Sequence, residues 1–117
     1  MPQLLIAGLL AILLLWPGVA AAAELRQVLS ARRLQIGDGN RSYGVELVCL
    51  EVDPARAEAA AAWLRKQVPR GTRVNLRPMG AHNGILQARV LPLTPDSTDL
   101  ASGLIEAQLA TASPCPA

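Results

Sequence analysis

The absence of charge from the first 23 residues most constrains what this chain can fold into. The first charged residue is Glu24, and before it an apolar segment at positions 4–16 leads through Pro17-Gly18 into a run of alanines. An apolar segment, a helix breaker and small residues in that order are typical of a secretory signal peptide. We therefore expect positions 1–23 to be a signal peptide and positions 24–117 to form a single domain.

The start of the leader leaves one alternative open. Met1-Pro2-Gln3 contains no Lys or Arg, so only the terminal amine supplies the positive charge that a signal peptide carries there. An uncleaved leader would tether the domain to the membrane. With cleavage, the protein is exported, periplasmic or secreted, and no integral membrane domain remains.

The predicted compartment determines the expected oxidation state of the two cysteines, Cys49 and Cys115. Export places them in an oxidising environment, where a disulfide forms and persists, and only one intramolecular pairing exists. The alternative is a structural zinc site. Two isolated cysteines and the single His82 lack the spacing of zinc ligands, so the sequence favours the disulfide.

Composition restricts the class of the domain. The chain is 51% apolar with a formal net charge of +2. These values exclude a collagen-like chain, a coiled coil, a polytopic membrane protein and a disordered polyelectrolyte. A small globular domain is expected.

Three strands are predicted before the first helix. Segments 25–29 and 34–36 read as short strands, and the turn-rich Gly37-Asp38-Gly39-Asn40 joins the second to a longer strand at 43–52. Beyond Leu47 both faces of that third strand are largely apolar. A strand buried on both faces is expected at the centre of its sheet.

The second half of the chain predicts a helix, a hairpin and another helix. Asp53-Pro54 indicates an N-cap and first helical position, and Pro69 with Gly71 ends this helix. Alternation at 72–78 and 85–91 indicates an antiparallel hairpin connected by residues 80–84. Ser97 or Thr98 is expected to cap the second helix, with Asp99 in its first turn and an irregular tail from Ser113. The predicted buried stripes are Ala57, Ala60, Ala61, Leu64 and Val68 in the first helix, and Leu100, Leu104, Ile105, Ala107 and Leu109 in the second.

The predicted order β-β-β-α-β-β-α is mainly β with two helices, an α+β domain. In about 90 residues this order suits a five-stranded, partly open Greek-key barrel of the OB-fold type.

Several of these features together resemble the staphylococcal-nuclease-like (thermonuclease) family over most of positions 25–115. They are the element order, the third strand running into the acid-x-acid-Pro helix start at Glu51–Pro54, the Asn83-Gly84 hairpin and the Asp99-Leu100 helix opening. The resemblance implies a nuclease-like OB-fold that uses two arginines, a glutamate and a calcium ion held by carboxylates. It also implies a cysteine in this strand and another near the end, as Cys49 and Cys115 provide.

The positions that the resemblance assigns to catalysis hold other residues. Glu46 stands where the strand arginine is expected, Pro54 where the glutamate is expected, and Ile85 where the second arginine is expected. Glu51 is the remaining counterpart of a calcium ligand, and a one-residue shift would make Glu51 or Asp53 the general base. The alternative is that these two residues are a solvated strand end and a helix N-cap. We expect little or no nuclease activity.

A group of mostly basic residues is the other candidate site. The side chains that could contact nucleic-acid phosphates are Arg73, Arg77, Arg89, Arg32, Arg33, Arg41 and the aromatic Tyr43. Stacking platforms are scarce, because Tyr43 and Trp63 are the only aromatic residues after the leader. A solvated outer face of a half-exposed sheet is the alternative.

The sequence therefore predicts an exported nuclease-like OB-fold domain that has lost catalysis and acts as a binding or interaction module. Its expected partners are nucleic acid, bound weakly and nonspecifically, or an extracytoplasmic protein. No cofactor is expected. Two alternatives remain: a divergent calcium-dependent phosphodiesterase acting on DNA or RNA, which would need calcium, and a small secreted structural or inhibitory domain.

Overall fold

A computed structural model describes residues 23–95 and 97–116, so positions 1–22 of the predicted signal peptide lie outside the described residues. The class is the predicted one, mainly β with two helices. The elements are β1 (Glu24–Val28), β2 (Arg33–Asp38), β3 (Arg41–Leu47), β4 (Leu50–Glu51), a 3-10 turn (Pro54–Arg56), α1 (Ala57–Gln67), β5 (Val74–His82), β6 (Ile85–Pro92), α2 (Leu100–Glu106) and β7 (Thr111–Ala112).

Five strands form one mixed sheet in the order β1-β2-β3-β6-β5, with β3 at its centre as predicted. Neighbouring strands are antiparallel except β3 and β6, which are parallel. The two outer strands are also joined. The Leu25 N–H donates to Thr72 O at 2.8 Å, and the Val74 N–H donates to Ala23 O at 2.9 Å. We call this contact between residues 23–25 and 71–74 the seam.

The core lies between the sheet and the two helices. Its side chains come from every long element, and among the described residues no polar or charged residue is buried. The predicted stripe of α1 is mostly confirmed, because Ala60, Ala61, Leu64 and the following Val68 are buried, whereas Ala57 is half-buried. In the described ranges, no helix has both the length and the apolar character needed to cross a membrane.

A 3-10 turn, rather than the predicted α-helix, begins at Asp53-Pro54. The Asp53 carboxylate accepts a hydrogen bond from the Ala55 N–H at 2.9 Å, which satisfies one donor of the first turn. Pro54 begins a 3-10 turn rather than the α-helix itself, and α1 follows from Ala57. The predicted N-cap is confirmed.

The hairpin has a shorter connection than the predicted residues 80–84. β5 continues to His82, and only Asn83 and Gly84, with φ of 52° and 77°, form the turn. Two successive positive φ values define the tight turn that favours Asn-Gly. A bulge between Pro78 and Gly80 allows the strand to continue. The expectation of a five-residue loop was therefore wrong.

The predicted strand 43–52 is interrupted, and this is the largest correction. Cys49 has a φ of 69°, which separates β3 from β4. Two contacts hold it there: the predicted disulfide to Cys115, with an S–S distance of 2.03 Å, and a hydrogen bond from the Ser113 N–H to Cys49 O at 3.0 Å. Beyond this point β4 leaves the large sheet and pairs with β7.

The second helix starts and ends differently from the prediction. Asp99, not Ser97 or Thr98, is the N-cap, since its carboxylate accepts from the Ser102 N–H at 3.3 Å. The helix ends at Glu106, so Ala107 is exposed rather than buried. Hydrogen bonds from the Gln108 N–H to Ile105 O and from the Leu109 N–H to Leu104 O form a Schellman motif around Gln108, whose φ is 62°.

Replacing Gln108 with glycine is expected to stabilise the fold by about 1 kcal/mol. Glycine adopts this left-handed conformation without the steric penalty of a Cβ. The backbone carbonyl of residue 108, which accepts from the Arg56 guanidinium, is retained. Urea unfolding measures the change, and Ala62→Gly, at an exposed position in the middle of α1, is the control expected to destabilise. A Gln108→Gly variant no more stable than the parent would contradict the motif.

Candidate functional site

Three arginines project from the outer side of the β5–β6 hairpin. Arg77 and Arg89 are direct cross-strand partners, and Arg73, immediately before β5, continues the alternation and is on the same side as Arg77. The alternate residues Val74 and Leu76 face the core. We call Arg73, Arg77 and Arg89 the basic face.

The three members differ in how far their charge is compensated. Arg89 donates from Nη1 to Asp99 Oδ2 at 3.0 Å, and its Nη2 lies 3.6 Å from Cys115 Sγ. Its side chain is 32% exposed and that of Asp99 15%. Arg73 and Arg77 are exposed, and neither has an ion-pair partner among the described residues. Arg89 therefore supports the fold, whereas the charges of Arg73, which lies opposite Glu24, and of Arg77 are held in no ion pair with a described residue.

Arg32 and Arg33, at the start of β2, surround Glu46. The distances from their Nη2 atoms to the Glu46 carboxylate are 3.6 Å and 3.4 Å. Gln87 also donates to this carboxylate, at 3.5 Å. The position that the resemblance assigns to a phosphate-binding arginine thus holds a carboxylate neutralised by two arginines.

Arg41 and Tyr43 lie on β3, next to the β2–β3 turn. Arg41 is exposed and opposite Asp38, while Tyr43 is half-buried against the core. Burial, and secondly the negative charge of Asp38, raise the pKa of the Tyr43 hydroxyl above its ordinary value. A half-buried ring offers little surface on which a base could stack.

The other positions tied to nuclease chemistry lie in two parts of the fold. Ile85 is on the same side of β6 as Arg89, whereas Glu51, Asp53 and Pro54 follow the end of β3. Ile85 packs beside Gly44, where a Cβ would lie 3.9 Å from its side chain. Glu51, Asp53 and Pro54 line a cleft of about 690 Å³ together with Arg56 and the chain after α2. Within the described part of the chain, no three His, Cys, Asp or Glu side chains group as metal ligands.

Three arginines near the seam were not predicted as site residues from the sequence. Arg26, Arg65 and Arg70 line a hollow of about 250 Å³, here called the seam hollow, with Leu25, Gln27, Val28 and Val68. A local signal existed: residues 59–95 contain no Asp or Glu. Their six cations are Arg65, Lys66, Arg70, Arg73, Arg77 and Arg89.

Comparison with known proteins adds no relative. The sequence matches no protein-family model, and a search of curated proteins finds no match.

Proposed function

We propose that this chain is an exported, catalytically degenerate domain of the nuclease-like OB-fold type that binds nucleic acid through its basic face. The observation that carries the proposal is the cross-strand register of Arg77 and Arg89, with Arg73 on the same side of the sheet. The ligand is bound through its phosphates, weakly and without sequence preference.

The OB-fold assignment is supported by the topology. An antiparallel β1-β2-β3 meander, a parallel β3–β6 contact and an antiparallel β5–β6 pair agree with a five-stranded Greek-key barrel. The hydrogen bonds of the seam, which join the outer strands, agree with closure of that barrel. Export is supported by the disulfide, because such bonds persist in oxidising compartments.

A polyanionic ligand is supported by the arrangement of charge. Like charges placed directly opposite on adjacent strands are destabilising, and Arg77 opposite Arg89 is such a pair. Asp99 compensates Arg89 only. A row of phosphates would neutralise both arginines and release counterions. Since residues 59–95 contain no carboxylate, this part of the chain does not repel a polyanion.

Weak, sequence-independent binding is supported by the positions of the aromatic rings. Trp63 packs over Gly103, where a Cβ would lie only 2.5 Å from Trp63 Cη2, so this ring belongs to the α1–α2 contact. Tyr43 is half-buried. Without stacking platforms, electrostatic contacts must supply most of the affinity.

Loss of catalysis is supported by the roles of the replaced residues. Glu46 forms ion pairs with Arg32 and Arg33, so these two guanidinium groups are occupied by a carboxylate rather than by a phosphate. Asp53 caps the 3-10 turn. The cleft lined by Glu51 and Asp53 keeps the calcium-dependent phosphodiesterase as the alternative function.

The proposal predicts that Arg73→Gln with Arg77→Gln weakens binding of single-stranded DNA roughly tenfold to thirtyfold at ~0.1 M salt. Each lost phosphate contact also lowers the slope of log K against log salt by about 0.7. Fluorescence anisotropy of a labelled oligonucleotide, with the oxidised full chain, measures both quantities. Arg56→Gln with Lys66→Gln is the control, because it removes two exposed cations that are not among the candidate phosphate contacts.

Equal losses in the two double variants would show that net charge, not the basic face, determines binding. The assay includes calcium and, separately, a chelator. Calcium-dependent cleavage abolished by Glu51→Gln would establish the alternative function. Intact, unbound DNA under all conditions would overturn nucleic-acid binding and favour an extracytoplasmic protein partner.

A further inference from the structure

The seam hollow lies beside the seam, and Arg70 in its lining is three residues before Arg73 of the basic face. Its apolar walls include Leu25, Val28 and Val68, and among the described residues that line it the charged ones are all arginines. The Arg26 guanidinium is occupied elsewhere, because Nη1 lies 3.2 Å from the Glu24 carboxylate. Arg65 and Arg70 are exposed, and neither forms an ion pair with a described residue.

The fold brings these two arginines together from separate segments. Arg65 lies in the last turn of α1, where a cation interacts favourably with the helix dipole. That effect does not explain Arg70, which follows the helix and Pro69. The Gly71 N–H donates to Leu25 O at 2.7 Å, so the seam fixes the chain immediately after Arg70. Two like charges at one small hollow repel each other unless an anion lies between them.

The same seam links the hollow to the basic face. Only Gly71 and Thr72 separate Arg70 from Arg73, so the two Cα atoms are at most about 11 Å apart. Arg73 in turn lies opposite Glu24, the residue before Leu25 of the hollow. Arg70 and Arg73 therefore flank one short crossing of the chain.

We infer that a single-stranded nucleic acid bound on the basic face continues over the seam, and that one of its phosphates binds between Arg65 and Arg70 in the seam hollow. This inference rests on the proposed function and extends its site. A guanidinium group binds phosphate oxygens through two parallel hydrogen bonds. The hollow, of about 250 Å³, has arginines but no aromatic ring among its lining residues, so it suits a phosphate rather than a stacked base.

The two parts of the site predict a dependence on ligand length. A short oligonucleotide can occupy the basic face alone, whereas a longer one also reaches the hollow. Arg65→Gln with Arg70→Gln should leave the affinity for the shortest ligand unchanged and lower that for the longest about tenfold. Its salt slope with the longest ligand should fall by about 1.4, the value for two phosphate contacts on a single strand.

The test uses labelled single strands from about 4 to about 16 nucleotides, the range of site sizes of OB-folds. The oxidised full chain is compared with three double variants: Arg65→Gln/Arg70→Gln, Arg73→Gln/Arg77→Gln and Arg56→Gln/Lys66→Gln. Arg65→Lys/Arg70→Lys retains the charges and should keep most of the gain in affinity with length. Thermal unfolding of each variant checks that it is folded.

The failures of the two proposals are distinguishable. If the parent chain binds but Arg65→Gln/Arg70→Gln matches it at every length, the hollow is not part of the site, and the proposed function stands. If that variant loses affinity equally for short and long strands, its effect is general electrostatics and the inference is wrong. If no strand binds the parent chain, both are overturned.

Discussion

Unfolding of a Cys49→Ser/Cys115→Ser variant is expected to require about 4 kcal/mol less free energy than unfolding of the oxidised chain. The bridge joins residues 66 positions apart, and closing a loop of that length removes entropy from the unfolded state. The net free energy of unfolding of a small domain with a single core is only several kcal/mol, so such a loss is a large part of it. Urea unfolding of both proteins measures the difference.

The same variant should loosen one part of the fold more than the rest. The bridge holds the β4–β7 pair, and β4 and β7 are each only two residues long. Without the bridge, amide exchange near Leu50 and Ala112 should accelerate more than exchange in β3. Reduction of the parent chain, checked by a mass increase of about two protons as expected for a bridge, provides the matched control. An unchanged urea midpoint after reduction would contradict the entropy argument.

The sequence predicts well those elements whose signals are local. Asp53-Pro54 marks a helix start because both residues act within one turn, as N-cap and as a residue without an N–H. Asn83-Gly84 marks a tight turn because both tolerate positive φ. Alternation placed Arg73 and Arg77 opposite Val74 and Leu76 for an equally local reason, the two-residue period of a strand.

Elements that depend on distant contacts were predicted less well. Apolar residues continue through Cys49, yet the strand ends there because β4 pairs with β7, more than 60 residues later in the chain. Apolar spacing also continues to Leu109. The helix nevertheless ends at Glu106, where the Schellman motif and the Arg56 contact to Gln108 O fix the turn. The periodicity of apolar residues does not reveal that β4 pairs with β7 or that Arg56 contacts the end of α2.

In the candidate site too, local patterns were predicted from the sequence and contacts between distant segments were not. The side of the sheet on which Arg89 lies follows from alternation, but its ion pair with Asp99 joins a strand to a helix cap. The neutralisation of Glu46 by Arg32 and Arg33 likewise depends on the β2–β3 register. The seam hollow was missed because the β1 residues that line it, Arg26 among them, meet Arg65 and Arg70 only through the seam.

Asp99→Ala is expected to lower the free energy of unfolding by about 2–3 kcal/mol, the largest effect after loss of the disulfide. The carboxylate accepts from the Ser102 N–H and from Ser102 Oγ, the latter at 2.6 Å. Loss of an N-cap accounts for about 1 kcal/mol. The Asp99 side chain is 15% exposed, and loss of its hydrogen-bonded ion pair with Arg89 accounts for about 1–2 kcal/mol more. Urea unfolding measures the sum.

Asp99→Asn separates the two contributions, because asparagine is as good an N-cap as aspartate but carries no charge. It should be about 1 kcal/mol more stable than Asp99→Ala. A double-mutant cycle with Arg89→Ala isolates the ion pair, and an interaction energy near zero would contradict the assigned contact.

The same substitution has opposite expected effects on stability and on binding. Removing the Asp99 charge releases Arg89 into the basic face, next to Arg77. If phosphates occupy that face, Asp99→Asn should bind single-stranded DNA several-fold more tightly while being less stable than the parent chain. Glu58→Gln, which removes an exposed carboxylate on α1, is the charge-matched control. A general effect of net charge would strengthen binding equally in both variants, whereas a gain confined to Asp99→Asn assigns the phosphate contact to Arg89 and its neighbours.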